Sequence, residues 1–143
     1  MPEFYYRNAR FPLPDDKDMV LDGVAIGRAT DIRTATIVSG AALSDAIDMR
    51  IFVGGHIFIP AEWTAANIGF KVCATADGTF VILCDASGNP VEISGVQTAE
   101  ARAYPLPDET FSSAYMKVWS KNTASATDVN QAATRTIGLV LKG

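Results

Sequence analysis

The chain has 143 residues, 48% of them hydrophobic and 20% charged, with a formal net charge of −4. That length fits a single domain able to bury a core without metal or disulfides, and the scattered basic residues argue against nucleic acid, which needs clustered Lys and Arg to release counterions. No run approaches the roughly 18 apolar residues of a membrane span, and the first residues, with Pro2, Glu3, Pro12 and Pro14, lack the apolar core of a secretory signal, so a cytosolic product is expected.

Residues 1–33 are expected to form an extended N-terminal arm, and residues 34–143 a β-sandwich domain. In the arm, Phe4, Tyr5, Tyr6 and Phe11 alternate with Arg7, Arg10 and prolines ahead of the acids Asp15, Asp16 and Asp18. Neither a helical nor a strand period fits. Exposed aromatic rings gain little in water and much against another surface, so Phe4, Tyr5, Tyr6, Arg7, Arg10 and Phe11 are the candidate assembly interface, with folding back onto the same domain as the alternative. Residues 19–33 suit an extended or edge-strand segment.

From Thr34 the pattern is strand-like up to Ser39-Gly40. Ile47, Met49, Ile51 and Val53 then alternate against Asp48 and Arg50, which predicts a strand, although Leu43, Ala46, Ile47, Arg50 and Ile51 also fit a helical spacing. Gly54-Gly55 predicts a bulge or sharp turn before the strand His56 to Ile59. Pro60 ends that strand, and residues 61–67 suit a single helical turn that sets Trp63 against the core. A hairpin follows, with Phe70, Val72 and Ala74 sharing a face with Val81 and Leu83 across Asp77-Gly78 or Gly78-Thr79. Its other face, with Cys73, Phe80, Ile82 and Cys84, is also mostly apolar, which predicts cover on both sides.

The two cysteines fall on one face of that hairpin, directly opposite or diagonally adjacent, and are expected to be buried free thiols rather than a disulfide. Residues 85–90 make a turn and Val91 to Ile93 a short strand. Residues 96–111, with Pro105 and Pro107, should be a loop. Tyr115 to Trp119 and Ile137 to Leu141 supply the last two strands. Seven or eight short strands with turns at near-regular intervals indicate an all-β protein, an antiparallel β-sandwich of jelly-roll type.

Catalytic chemistry has little to stand on. His56, the only histidine, has no ligand or triad partner at a useful spacing and is expected to be a packed or edge residue. The oxygen-rich turn Asp85 to Asn89 lacks the alternating ligand set and distal glutamate of a calcium loop. Glu62, Asp108 and Glu109 are ordinary loop acids unless the fold pairs them, and Ser44 and Ser87 have no nucleophile context. No catalytic, cofactor or metal residues are assigned, and a non-enzyme is expected. Trp63, Tyr104, Tyr115 and Trp119 are candidates for an interface or a sugar-stacking platform, with core or interface packing favoured for the tryptophans.

The ordered series Leu43-Ser44-Asp45-Ala46-Ile47-Asp48-Met49, Pro60-Ala61-Glu62-Trp63-Thr64, Asp77-Gly78-Thr79-Phe80, Tyr115-Met116-Lys117-Val118-Trp119-Ser120 and Asn130-Gln131-Ala132-Ala133 covers about two thirds of the chain. It resembles small β-rich structural proteins of the head region of tailed bacteriophages and prophages. The resemblance implies a virion protein, assembled in the host cytoplasm and carried on the head surface. Its expected role is capsid decoration or cement, with the major capsid protein and copies of itself, as a homotrimer, for partners. The alternative is a head-fibre, tail or adhesion module that binds host-surface carbohydrate.

Overall fold

The computed structural model describes residues 30–143, where the two-residue period of apolar side chains organises the chain. In order the strands are β1 (Thr30–Ile37), β2 (Ile47–Asp48), β3 (Gly54–Ile59), β4 (Asn67–Cys73), β5 (Val81–Ile82), β6 (Glu92–Ile93), β7 (Arg102–Pro105), β8 (Tyr115–Lys121) and β9 (Arg135–Lys142). They form two antiparallel sheets. One has four strands in the order β1-β9-β3-β7, and the other has five, ordered β2-β8-β4-β5, with β6 also pairing with β4. Every connection except β4 to β5 and β5 to β6 carries the chain from one sheet to the other. The described residues are therefore all-β, with no α-helix and one 3-10 turn at Asp108–Ser112.

The core is one cluster fed by both sheets. Ala35 and Ile37 from β1, Ile57 and Ile59 from β3 and Ile137, Leu139 and Leu141 from β9 meet Ile68 and Phe70 from β4 and Met116 and Val118 from β8. Each fully buried side chain of this size contributes roughly 1.5–3 kcal/mol. The strand periods at Thr34 to Ile37, Tyr115 to Trp119 and Ile137 to Leu141 place their apolar residues as expected. β1 begins at Thr30, so residues 30–33, assigned to the arm as an extended segment, lie in this strand and pair with β9. The rest of the arm lies outside the described residues.

Several local expectations give way to the fold. The strand at residues 47–53 stops after Asp48: the carboxylate Oδ1 of Asp48 accepts the Arg50 N–H at 3.0 Å and the chain turns, leaving Ile51 and Val53 exposed while Phe52 enters the core. Gly54-Gly55 is no bulge, because both glycines pair in register with Lys142 and Leu141. Glycine is needed at 55 for close approach instead, since a Cβ there would lie 2.4 Å from the Val140 carbonyl oxygen. Residues 61–66 form a turn closed by the Trp63 N–H on the Pro60 carbonyl, without a helix, yet Trp63 enters the core as expected.

The β4–β5 hairpin pairs Val72 with Val81, and the Leu83 N–H bonds the Phe70 carbonyl, which are the face partners expected. Its connection spans residues 74–80, however, too long for a two-residue turn. The hairpin tip is uncovered: Val81 is exposed, and an apolar groove of about 350 Å³ runs beside it past Val72, Cys73 and Ala114. Cys73 and Cys84 are free thiols, but Cys73 is half-buried and Cys84 exposed. They are not cross-strand neighbours: Cys73 ends β4 before the connection, whereas Cys84 follows β5 and bridges to Pro90, and Gly69 pairs with Glu92. Residues 96–111 contain β7 and the 3-10 turn. An edge strand accepts Pro105 because its missing N–H removes no ladder bond, and Pro107 immediately precedes the turn.

Candidate functional site

Two surfaces of the sandwich carry side chains that the core does not explain. The first is the outer face of the four-stranded sheet. Register places Ile32, Val140, His56 and Pro105 in one row across it, and Thr34, Gly138, Phe58 and Ala103 in the next. Neither row holds an acid, Lys or Arg. Ile32 is 73% exposed and Phe58 45%, each opposite small or apolar neighbours. His56 is exposed in this face, not packed, and no cluster of three His, Cys, Asp or Glu side chains that could hold a metal ion occurs among the described residues.

The second is the outer face of the five-stranded sheet, where Tyr115, Lys117, Trp119 and Lys121 follow one another at two-residue spacing along β8. Cations and rings alternate: Lys71 sits 4.7 Å from the Trp119 ring, Lys117 4.6 Å from Phe80 and Arg50 5.1 Å from Tyr115. Although it points away from the core, Trp119 is only 1% exposed. Its Nε1 donates to Asp128 Oδ1 at 2.7 Å, and its ring lies over Gly69, where a Cβ would stand 2.7 Å from Cε3.

Lys121 is 3% exposed beside it, its stem also over Gly69 and its ammonium paired with the Glu92 carboxylate. A second bond from Lys121 Nζ reaches the Asn122 carbonyl at 3.0 Å. Glu92 Oε2 accepts from Asn67 Nδ2 at 3.1 Å, so one carboxylate bridges a buried lysine and a buried asparagine. Glu92, Lys121, Asn89 and Ser125 border a cleft of about 410 Å³ that opens to solvent.

At the edge of this face the exposed Asp48 is held below its ordinary value, to about 2, chiefly by the hydrogen bond from the Arg50 side chain and then by the Arg50 backbone N–H. The Cys73 thiol is also lowered, first by the Thr75 backbone N–H.

The sequence candidates disperse. Trp63, 2% exposed, is a core residue whose Nε1 bonds the Ala66 carbonyl. Tyr104, on β7, is half-buried against the core, with its hydroxyl accepting the Gln97 N–H. Tyr115 and Trp119 share the outer face of β8, Tyr115 beneath Arg50 and Trp119 buried. The four rings therefore do not assemble into one stacking platform. Phe4, Tyr5, Tyr6, Arg7, Arg10 and Phe11 lie outside the described residues.

The Asp85 turn is self-contained: Asp85 Oδ1 accepts the backbone N–H groups of Ser87 and Asn89, and Gly88 takes a positive φ of 84°. Ser44 is spent inside the fold, its Oγ accepting the Val118 N–H at 2.9 Å and donating to the Asp45 carbonyl. Sequence reasoning did not single out Asn67, Glu92 and Lys121, because their meeting depends on the register of β4 with β6 and β8. Comparison of the chain with family models, curated proteins and solved structures gave no significant match.

Proposed function

We propose that this chain is a non-enzymatic structural protein of a virion, a decoration or cement protein on the head that binds the major capsid protein lattice and its own copies. The observation that carries the reading is the pair of uncharged rows on the outer face of the four-stranded sheet, where Ile32 and Phe58 stand exposed and the nearest cation, Lys142, lies in the next row. A sheet face of this kind suits a neighbouring copy, because burying it removes apolar area from water and strands no charge. In this reading the sandwich is of jelly-roll type, in keeping with a chain that passes repeatedly between its sheets. Three copies meet about a local threefold axis, and the aromatic arm spreads its contacts over adjoining capsid subunits, which gains avidity from simultaneous engagement. The carbohydrate alternative needs accessible indole rings, and the burial of Trp63 and Trp119 weighs against it.

The test is heat resistance of purified heads. Particles lacking the protein should release their contents at lower temperature, added full-length chain should restore them, and a chain lacking residues 2–18 should keep its fold and fail to bind. Heads equally resistant with and without the protein would refute the assignment.

A further inference from the structure

Asn67 and Lys121 are register partners on the adjacent strands β4 and β8. Directly opposed residues have Cα atoms about 4.5–5.5 Å apart, within easy reach of a lysine side chain. Both side chains point to the outer face, both are almost completely buried, and both bond the same carboxylate, Lys121 through Nζ to Oε1 and Asn67 through Nδ2 to Oε2 of Glu92. A nucleophile, an amide and a proton carrier thus stand together, and Trp119 and Gly69 confine the lysine stem. An amine held beside an amide with a base between them has the proximity and proton relay that solution chemistry lacks.

We propose that Lys121 and Asn67 become joined by an intramolecular isopeptide bond, formed by the chain itself with Glu92 as the catalytic proton carrier. The Glu92 carboxylate takes a proton from Nζ, and the freed lone pair forms the Nζ–Cγ bond to Asn67. Glu92 then delivers its proton to Nδ2, the Cγ–Nδ2 bond breaks with its electron pair on nitrogen, and the leaving ammonia takes the second proton shed by Nζ. One ammonium ion is released, Glu92 returns to its carboxylate, and neither oxidant nor cofactor is consumed. The cleft beside Glu92 and Lys121 gives ammonium its way out. The product staples β4 to β8, the central pair of the five-stranded sheet. This inference does not depend on the virion assignment.

Mass spectrometry of the full chain tests it. Loss of ammonia lowers the intact mass by about 17 Da relative to the sequence. Trypsin should then yield a branched peptide joining residues 51–71 to residues 118–135, with no cleavage after Lys121. Glu92→Gln and Lys121→Arg should restore the sequence mass, with circular dichroism reporting whether each variant folds. The wild-type measurement decides even if neither does. An intact mass equal to that of the sequence overturns the proposal, as does the same loss located within a linear peptide, which would be a cyclic imide.

Discussion

On the four-stranded sheet two adjacent outward rows run Ile32, Val140, His56, Pro105 and Thr34, Gly138, Phe58, Ala103, mostly exposed and without an acid, Lys or Arg. On the five-stranded sheet the outward positions are Tyr115, Lys117, Trp119 and Lys121 over Lys71, Gly69 and Asn67, and the end carrying Trp119, Lys121 and Asn67 is buried. Composition alone would rank them the other way, charged side out and apolar side in. What reverses the order is cover from the chain itself: β6 supplies Glu92, and the segment after β8 supplies Asp128 to Trp119 and the Asn122 carbonyl to Lys121. A buried charge persists only when paired and hydrogen-bonded, and each of these bonds meets that need. One outer face is thus closed at this end by the chain's own bonds, whereas the two apolar rows of the other stay largely exposed.

The sharpest way to break this contrast uses two glycines, one on each face. At Gly69 a Cβ would lie 2.7 Å from Trp119 Cε3 and 2.9 Å from Lys121 Cδ, whereas at Gly138 it would meet only Phe58 Cβ, at an ordinary 3.5 Å. Gly69→Ala should therefore cost about 1–3 kcal/mol by overpacking. Gly138→Ala should be neutral or stabilise by up to about 1 kcal/mol, because alanine narrows the unfolded ensemble at no steric cost. Urea unfolding of the two variants against the parent chain checks both, and equal losses would show that the two faces are packed alike.

Ile32→Lys probes the open face alone. With Ile32 73% exposed, the variant should change folding stability by no more than about 0.5 kcal/mol, yet a charge placed in the apolar row should abolish self-association measured by analytical ultracentrifugation. Undiminished association would move the interface elsewhere, with the apolar groove beside Val81 the next surface to test.

The all-β class and the core residues of β1, β8 and β9 were legible because their two-residue alternation is unbroken, and Trp63 was placed correctly although its turn was not. The five-residue alternation at 49–53 misled because Asp48 and Arg50 bond each other locally and turn the chain, a side-chain event that periodicity does not register. Residues 96–111 hid an edge strand because proline is forbidden only where its N–H is needed, and edge position depends on the assembled sheet. The Asn67, Glu92, Lys121 cluster was invisible for a related reason. Two of its members are register partners far apart in the chain, the third arrives on β6, and nothing local distinguishes a lysine that will be buried from one that will not. The segments Pro60 to Thr64 and Asn130 to Ala133 do meet: Gln131 is buried and bonds the Thr64 backbone N–H and carbonyl and the Ser120 hydroxyl. Their spacing thus has a packing cause.

The smallest effect lies at the rim of the charged face, where Asp48 and Arg50 form an ion pair open to solvent, unlike the enclosed pair of Lys121 and Glu92. Asp48 is lowered to about 2 by the Arg50 side chain first and its backbone N–H second. A carboxylate whose folded value lies below its unfolded one stabilises the fold above the unfolded value, and the contribution disappears as pH falls through the folded one. The Asp48 contribution is therefore complete above its ordinary value of 3.8 and fades toward pH 2. Solvent and salt screen such an exposed pair, so the change in global stability should be slight. The carboxyl carbon shift of Asp48, followed by NMR, should titrate near 2 in the parent chain. In Arg50→Gln it should return toward 3.8, since the Arg50 charge and its guanidinium bond are lost and only the weaker influences of the backbone N–H and the Arg33 charge remain. A midpoint that does not move in the variant would assign the lowering to the backbone turn alone, and the ion pair would then be a consequence of the turn at residues 48–50 rather than a reason for it.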